Sequence, residues 1–129
     1  MGADRPPGNS PPATLGGNGL AVSPEFSITT RDLPDLHIVG LHGELDVVSA
    51  DGLTDVLVEI AGSTLVVDLS GLTFIDSSGI AALVLARNRI RANGQGQLML
   101  SRPGGIVRMA LEIVGLGPWI VEWSAAWDD

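Results

Sequence analysis

Apolar and polar positions alternate, then change period, several times along this chain. From Glu25 to Arg31 the residues Phe26, Ile28 and Thr30 alternate with polar neighbours, the signature of a half-buried strand. Asp32 to Asp35, with Leu33-Pro34 inside, predicts a turn, and Leu36 to Leu41 a second strand, so the two form an antiparallel hairpin. Ser49 is placed to cap a helix over 50–61, where Leu53, Val56, Leu57 and Ile60 recur at helical spacing, with Gly62 at its end. A buried strand follows at 64–69, then a turn through Ser70 and Gly71 and a second apolar step from Leu72 to Ile75. The polar knot Asp76-Ser77-Ser78-Gly79 introduces a helix from Ile80 to Arg91. Asn93 to Gly96 supplies a turn, and Gln97 to Ser101 another strand. Pro103 fits the first turn of a helix whose apolar face is Ile106, Val107, Ala110, Leu111 and Val114. Gly115 to Pro118 breaks it, and Trp119 to Trp123 reads as a short final strand or an extended arm.

The order β-β-α-β-α-β-α-(β) implies an α/β fold with a mixed sheet of four to five strands. Strand–helix–strand units make parallel neighbours, and the opening hairpin adds an antiparallel edge. Function in such sheets gathers beyond the carboxyl ends of the parallel strands. Both His42–Asp46 and Asp76–Gly79 follow strands, so the pattern brings Asp46 and Ser77 to one edge.

Residues 1–24 hold five of the 17 glycines and five of the 8 prolines and show neither period. They predict a flexible tail, with the domain proper at 25–129. At 45 % hydrophobic residues the rest can build a core, and no apolar run approaches the ~18 residues of a membrane span. No secretory signal is visible at the start, so the expectation is a cytoplasmic protein. The net charge is −8, from 15 acidic and 7 basic residues, and every basic residue is arginine. Such a surface argues against nucleic acid as a partner. The lack of lysine excludes a P-loop lysine and a Schiff base, and the lack of cysteine excludes disulfides and thiolate chemistry.

The candidate chemistry centres on Ser77. A strand that delivers serines to the first turn of a helix sets hydroxyls beside unpaired N–H groups and the positive end of the dipole, a setting for an anion or for a phosphate on serine. The plainer reading is that Asp76 or Ser77 caps the helix, with Ser78 a cap or a lesser acceptor. Asp46 either positions the Ser77 hydroxyl or meets a partner, or serves as a cap or turn residue before the next helix. On the helix, Gly79, Leu83, Ala86 and Ile90 share a core stripe, while Ala81, Val84, Leu85 and Asn88 lie opposite, headed by Ser77. Apolar residues on an outward stripe suggest docking; the alternative is a helix buried on both faces. Arg87 and Arg91 are a solvated flank or a match for an acidic partner. His37 and His42 point to opposite faces and make a poor metal pair, so no cofactor or metal is expected. A serine hydrolase would need a histidine near Ser77, and none follows it in the chain. Trp119, Trp123 and Trp127 read as core or edge cover.

The segments Gly43-Glu44-Leu45-Asp46, Val67-Asp68-Leu69-Ser70 and Phe74-Ile75-Asp76-Ser77-Ser78-Gly79 resemble those of the STAS domains, specifically the bacterial anti-sigma factor antagonists. The glycine turn after the helix and the Gly115-Leu116 pair also fit, over residues 25–123. That resemblance implies a non-enzymatic protein that binds an anti-sigma factor, a Ser/Thr kinase of the histidine-kinase-like ATPase fold, and so frees a sigma factor for transcription. It implies phosphorylation of Ser77, release of the kinase, and reset by a metal-dependent Ser/Thr phosphatase. The other reading within the family is a non-switching scaffold, a subunit of a lipid-transport or stress-signalling assembly. Members usually carry a further C-terminal helix, for which residues 124–129 leave barely one turn.

Overall fold

The computed structural model describes residues 19–23, 25–62 and 64–121. Its strands are β1 (Gly19–Ser23), β2 (Phe26–Leu33), β3 (Leu36–Leu45), β4 (Thr64–Ile75), β5 (Gln97–Ser101) and β6 (Ile120–Val121). The helices are α1 (Val47–Ile60), α2 (Ser77–Ala92) and α3 (Gly105–Ile113), with a 3-10 turn at Gly117–Trp119. The strands form one sheet in sequence order, β1 to β6. The first two pairings are antiparallel and the remaining three are parallel.

Each parallel step from β3 to β6 is bridged by a helix or by α3 with its 3-10 turn. Right-handed crossovers between strands added in one direction place all three helices on the same face of the sheet. The core follows from that: Phe26, Ile28, Val39, Leu41, Leu65, Val67, Leu69, Leu98 and Leu100 from the strands meet Leu53, Leu57, Leu83, Ala86, Ile90, Val107 and Leu111 from the helices. Thr54, buried between α1 and α2, donates its hydroxyl to Ala82 O at 3.3 Å and so ties the two helices together.

Several boundaries depart from the sequence reading, each for a local reason. Part of the segment read as tail, residues 19–23, is β1, an antiparallel edge on β2, which makes the sheet six-stranded. Its partner's backbone supplies the pairing that its own composition does not advertise. Residues 1–18 lie outside the described residues. The hairpin is tighter than expected, since Leu33 pairs directly with Leu36 and only Pro34-Asp35 turn.

The turn expected at Ser70-Gly71 is absent, and β4 runs unbroken for 12 residues. It gains one residue on β3 between Gly40/His42 and another between Gly43/Glu44, so the irregularity is absorbed as bulges. Gly71 marks a close approach: a Cβ there would strike the His42 ring and lie 2.9 Å from Leu41 O. α1 begins at Val47 rather than Ala50, because Asp46 and not Ser49 is its N-cap. It ends on Ala61 in extended backbone, one residue before the glycine expected to stop it. Pro103 precedes α3, whose N-cap is Gly104, and the described part of the last strand is Ile120–Val121, directly after the 3-10 turn. Trp123, Trp127 and the residues considered for a further helix lie outside the described residues.

Candidate functional site

β3 and β4 end level with each other, Leu45 opposite Ile75, and the Asp76 N–H then donates to Leu45 O at 3.2 Å. Two helices therefore start side by side from neighbouring strand ends, and each is capped by the aspartate at that point. The Asp46 carboxylate accepts from Val48 N–H at 3.0 Å, while its own N–H donates to Ser49 Oγ at 3.1 Å, closing a capping box. The Asp76 carboxylate accepts from Ser78 N–H at 2.9 Å and Gly79 N–H at 3.1 Å. Gly79 lets α2 start this close to β3, because a Cβ there would lie 2.7 Å from Leu45 Cγ and 2.8 Å from Leu45 O. Gly43 does the same further back on β3: its φ of 99° and a Cβ that would collide with Glu25 O admit only glycine.

Ser77 occupies the first helical position of α2 and is exposed. No hydrogen bond among the described residues engages its hydroxyl, whereas Ser78 is half-buried beside α1. The capping role considered for Ser77 and Ser78 thus belongs to Asp76. The anion seat expected at this helix start is likewise filled, by the Asp76 carboxylate on the Ser78 and Gly79 N–H groups. A free hydroxyl is left on an edge that already carries Asp46 and Asp76, with exposed Glu44 on β3 and exposed Asp51 on α1. The arginines of α2 stand far off: Arg87 is ten residues along the helix, roughly 15 Å from Ser77.

The outward stripe of α2 largely keeps the expected orientation. Ala81, Leu85 and Asn88 are exposed, Leu85 by 50 %, while Val84 is half-buried against the core and Ala82 joins the buried face. Between α1 and α2 lies a shallow groove of about 270 Å³, lined by Val47, Ala50, Asp51, Ser78, Ala81 and Leu85 among others. Val47 and Val48, exposed by 71 % and 72 %, and Phe74 at 44 % add apolar surface that sequence reasoning did not assign to the site. Their signal was present: two valines directly after a capping aspartate occupy a first helical turn, where side chains project past the strand ends.

Other candidates go elsewhere. His37 Nδ1 is 2.8 Å from Asp32 Oδ1, and His42 Nε2 is 3.0 Å from Thr29 Oγ1; neither is hydrogen-bonded to Ser77. The Arg87 guanidinium stacks over Trp119 at 4.2 Å from the ring centre, and Trp119 packs against the core. Among the described residues, no group of three or more His, Asp or Glu is placed to hold a metal ion. None of the described helices is long and apolar enough to cross a membrane.

One bidentate pair braces the sheet beside β5. Arg102, at a left-handed φ of 54°, donates to Asp68 through Nε at 3.2 Å and Nη2 at 2.8 Å. Burial pushes the Asp68 pKa up. The Arg102 hydrogen bonds, the Ser70 N–H and hydroxyl, and the Arg102 charge together outweigh it, so the carboxyl sits below its ordinary value.

The profile of the STAS domain matches residues 27–126. The chain is 32 % identical over 89 residues to the anti-sigma F factor antagonist of Lysinibacillus sphaericus, covering 66 % of this chain and 75 % of that protein. Its fold superposes on an anti-sigma factor antagonist from Mycobacterium paratuberculosis with a TM-score of 0.66 at 22 % identity, over 78 % of this chain and 88 % of that one. The Bacillus cell fate determinant SpoIIAA, in its phosphorylated form, gives a TM-score of 0.59 at 21 % identity, over 77 % and 93 % of the two chains. With a level pair of strand ends, two aspartate-capped helices and these matches, the chain belongs to the STAS domain family, the family of the bacterial anti-sigma factor antagonists.

Proposed function

We propose that this protein is an anti-sigma factor antagonist whose hold on its partner is switched by phosphorylation of Ser77. The observation that carries the reading is exposed Ser77 at the head of α2, next to the capping Asp76 and on the helix whose Ser78, Ala81 and Leu85 line the groove against α1. The partner is an anti-sigma factor that acts as a Ser/Thr kinase, and it docks on Asp46, Asp76, Ser77, Ala81, Val84, Leu85 and Asn88. The domain performs no catalysis of its own and works in the cytoplasm, with a Ser/Thr phosphatase restoring the binding form. The relative that is 32 % identical carries the name of an anti-sigma factor antagonist, and SpoIIAA exists in a phosphorylated form, which supports the reading.

The mechanism is electrostatic. A phosphate brings roughly −1.5 to −2 charges to Ser77. The Ser78 and Gly79 N–H groups are already bonded to Asp76, so the new charge arrives next to the Asp76 carboxylate, on an edge that also carries Asp46. A kinase surface seated on the apolar groove removes water from that edge, and repulsion of like charges grows as the dielectric falls. The unphosphorylated edge offers a neutral hydroxyl and apolar contact; the phosphorylated one repels an acidic surface and costs desolvation.

The test uses intact mass and phosphosite mapping after incubation with an anti-sigma factor kinase and ATP, together with binding by calorimetry. Ser77→Ala keeps binding and takes no phosphate, and Ser77→Asp binds at least about tenfold more weakly, a loss of about 1.4 kcal/mol. A Ser77→Asp protein that holds the kinase as tightly as the wild type refutes the switch.

A further inference from the structure

At the far end of α2 from Ser77, roughly 20 Å along the helix, a cavity opens between α2, β5 and the 3-10 turn before β6. Its volume is about 430 Å³. β6 pairs only with Leu100 and Ser101, so among the described residues no strand covers the outer edge of Gln97 to Met99. Arg87 and Arg91, one helical turn apart on the same side of α2, both line the space. Arg87 is half-buried and held by its stack on Trp119, while Arg91 is exposed. No described carboxylate pairs with either arginine, and no acidic residue lines the cavity. Like charges at this spacing repel each other. The helix dipole does not explain the pair: Arg89 shares the last turn with Arg91 and offsets the dipole equally, yet lies off the cavity.

We infer that this cavity is a binding site for a small organic phosphate, a phosphate monoester on an apolar body. Two guanidinium forks a turn apart match a group with close to two negative charges and three acceptor oxygens. A single carboxylate would fill one fork and leave the other charge uncompensated. Met99, Pro118 and Trp119 on the remaining walls favour an apolar body over a bare ion, and the volume is that of a small-molecule site. The Arg87–Trp119 stack fixes one donor in advance, so less side-chain freedom is lost on binding. The site shares no residue with the Ser77 switch and needs nothing from the reading of that serine.

Calorimetry of the full chain with phenyl phosphate tests it, while NMR follows the Trp119 indole and the Gln97 to Met99 amides. Phenyl phosphate binds with a Kd of about 1 mM or tighter, and benzoate and inorganic phosphate each bind at least about threefold more weakly. Arg91→Gln loosens phenyl phosphate at least about fivefold and leaves the thermal transition unchanged, since the side chain is exposed. Arg87→Met has the same effect on binding while its stem still covers Trp119. Arg89→Gln, off the cavity, changes the Kd by less than about twofold. No binding up to about 10 mM overturns the proposal. An equal loss with Arg89→Gln does so too, because it marks a general attraction to a cationic helix end. Binding that appears only after Glu122→Gln, Asp128→Asn and Asp129→Asn assigns the guanidiniums to the chain's own carboxylates and equally overturns it.

Discussion

Gly79→Ala tests whether the site is assembled as described, because this glycine fixes how closely the head of α2 approaches β3. The new Cβ would lie 2.7 Å from Leu45 Cγ, 2.8 Å from Leu45 O and 3.0 Å from Ile75 Cγ1. Leu45 is fully buried, and its carbonyl is held by the Asp76 N–H, so neither atom can retreat. Overpacking of this kind costs about 1–3 kcal/mol. Replacing glycine by alanine in a helix returns up to about 1 kcal/mol, and less in the first turn. The balance is a loss of about 1–2 kcal/mol, which for a domain of this size lowers the melting temperature by about 5–10 °C. Urea denaturation followed by circular dichroism measures it, with Gly105→Ala as the control. Gly105 has nothing within 4 Å of its added Cβ, so that variant is neutral or slightly stabilised. On the proposed switch the loss at Gly79 also reaches function, since α2 has to shift and carry Ser77 with it, and slower phosphorylation of Ser77 is the expected outcome. A Gly79→Ala protein as stable as the wild type means that the two strand ends and the helix start are not packed as described.

Asp76→Ala removes both cap bonds of α2 and lowers unfolding free energy by about 1–2 kcal/mol, read by the same denaturation series. Leu85→Glu changes stability by no more than about 0.5 kcal/mol because the side chain is half exposed, yet it weakens partner binding; a collapsed thermal transition shows instead that Leu85 is core. Asp68 has a pKa depressed in the folded protein, so its stabilisation is present above the unfolded value of about 3.9 and is lost as pH falls through the folded value. Arg102→Met therefore flattens the acid limb of a stability–pH profile, and an unchanged acid limb removes that pair from the account.

How much of this was legible in sequence depends on whether a feature is local or contributed by a neighbour. The hairpin, the three helices and β5 follow from periodicity, since Phe26/Ile28, Leu53/Leu57 and Leu83/Ala86/Ile90 repeat at the spacing of the element that buries them. The opposed stripe of α2 was equally readable, and only Val84 turned further inward than its angle suggested. β1 was not legible, because five residues inside a Gly/Pro-rich segment become a strand only when β2 offers them an edge. Gly71 looked like a turn, since sequence does not distinguish a bend from a backbone crowded by His42 across a bulge.

The site divides along the same line. A polar knot between an apolar strand and a helix is a sequence property, and so is the prospect that Asp46 and Ser77 share an edge. Which residue takes the cap is not, because Asp76, Ser77 and Ser78 are all chemically able to fill it. The Asp76 N–H bonded to Leu45 O, and the lack of room at Gly79, turn the backbone so that the aspartate faces the open N–H groups and the serine faces water. Sequence thus settled the kind of atoms at this edge, through residue type and spacing. The fold settled which of them takes the cap and which stays exposed, because hydrogen-bond direction depends on where a strand thirty residues away brings its carbonyl.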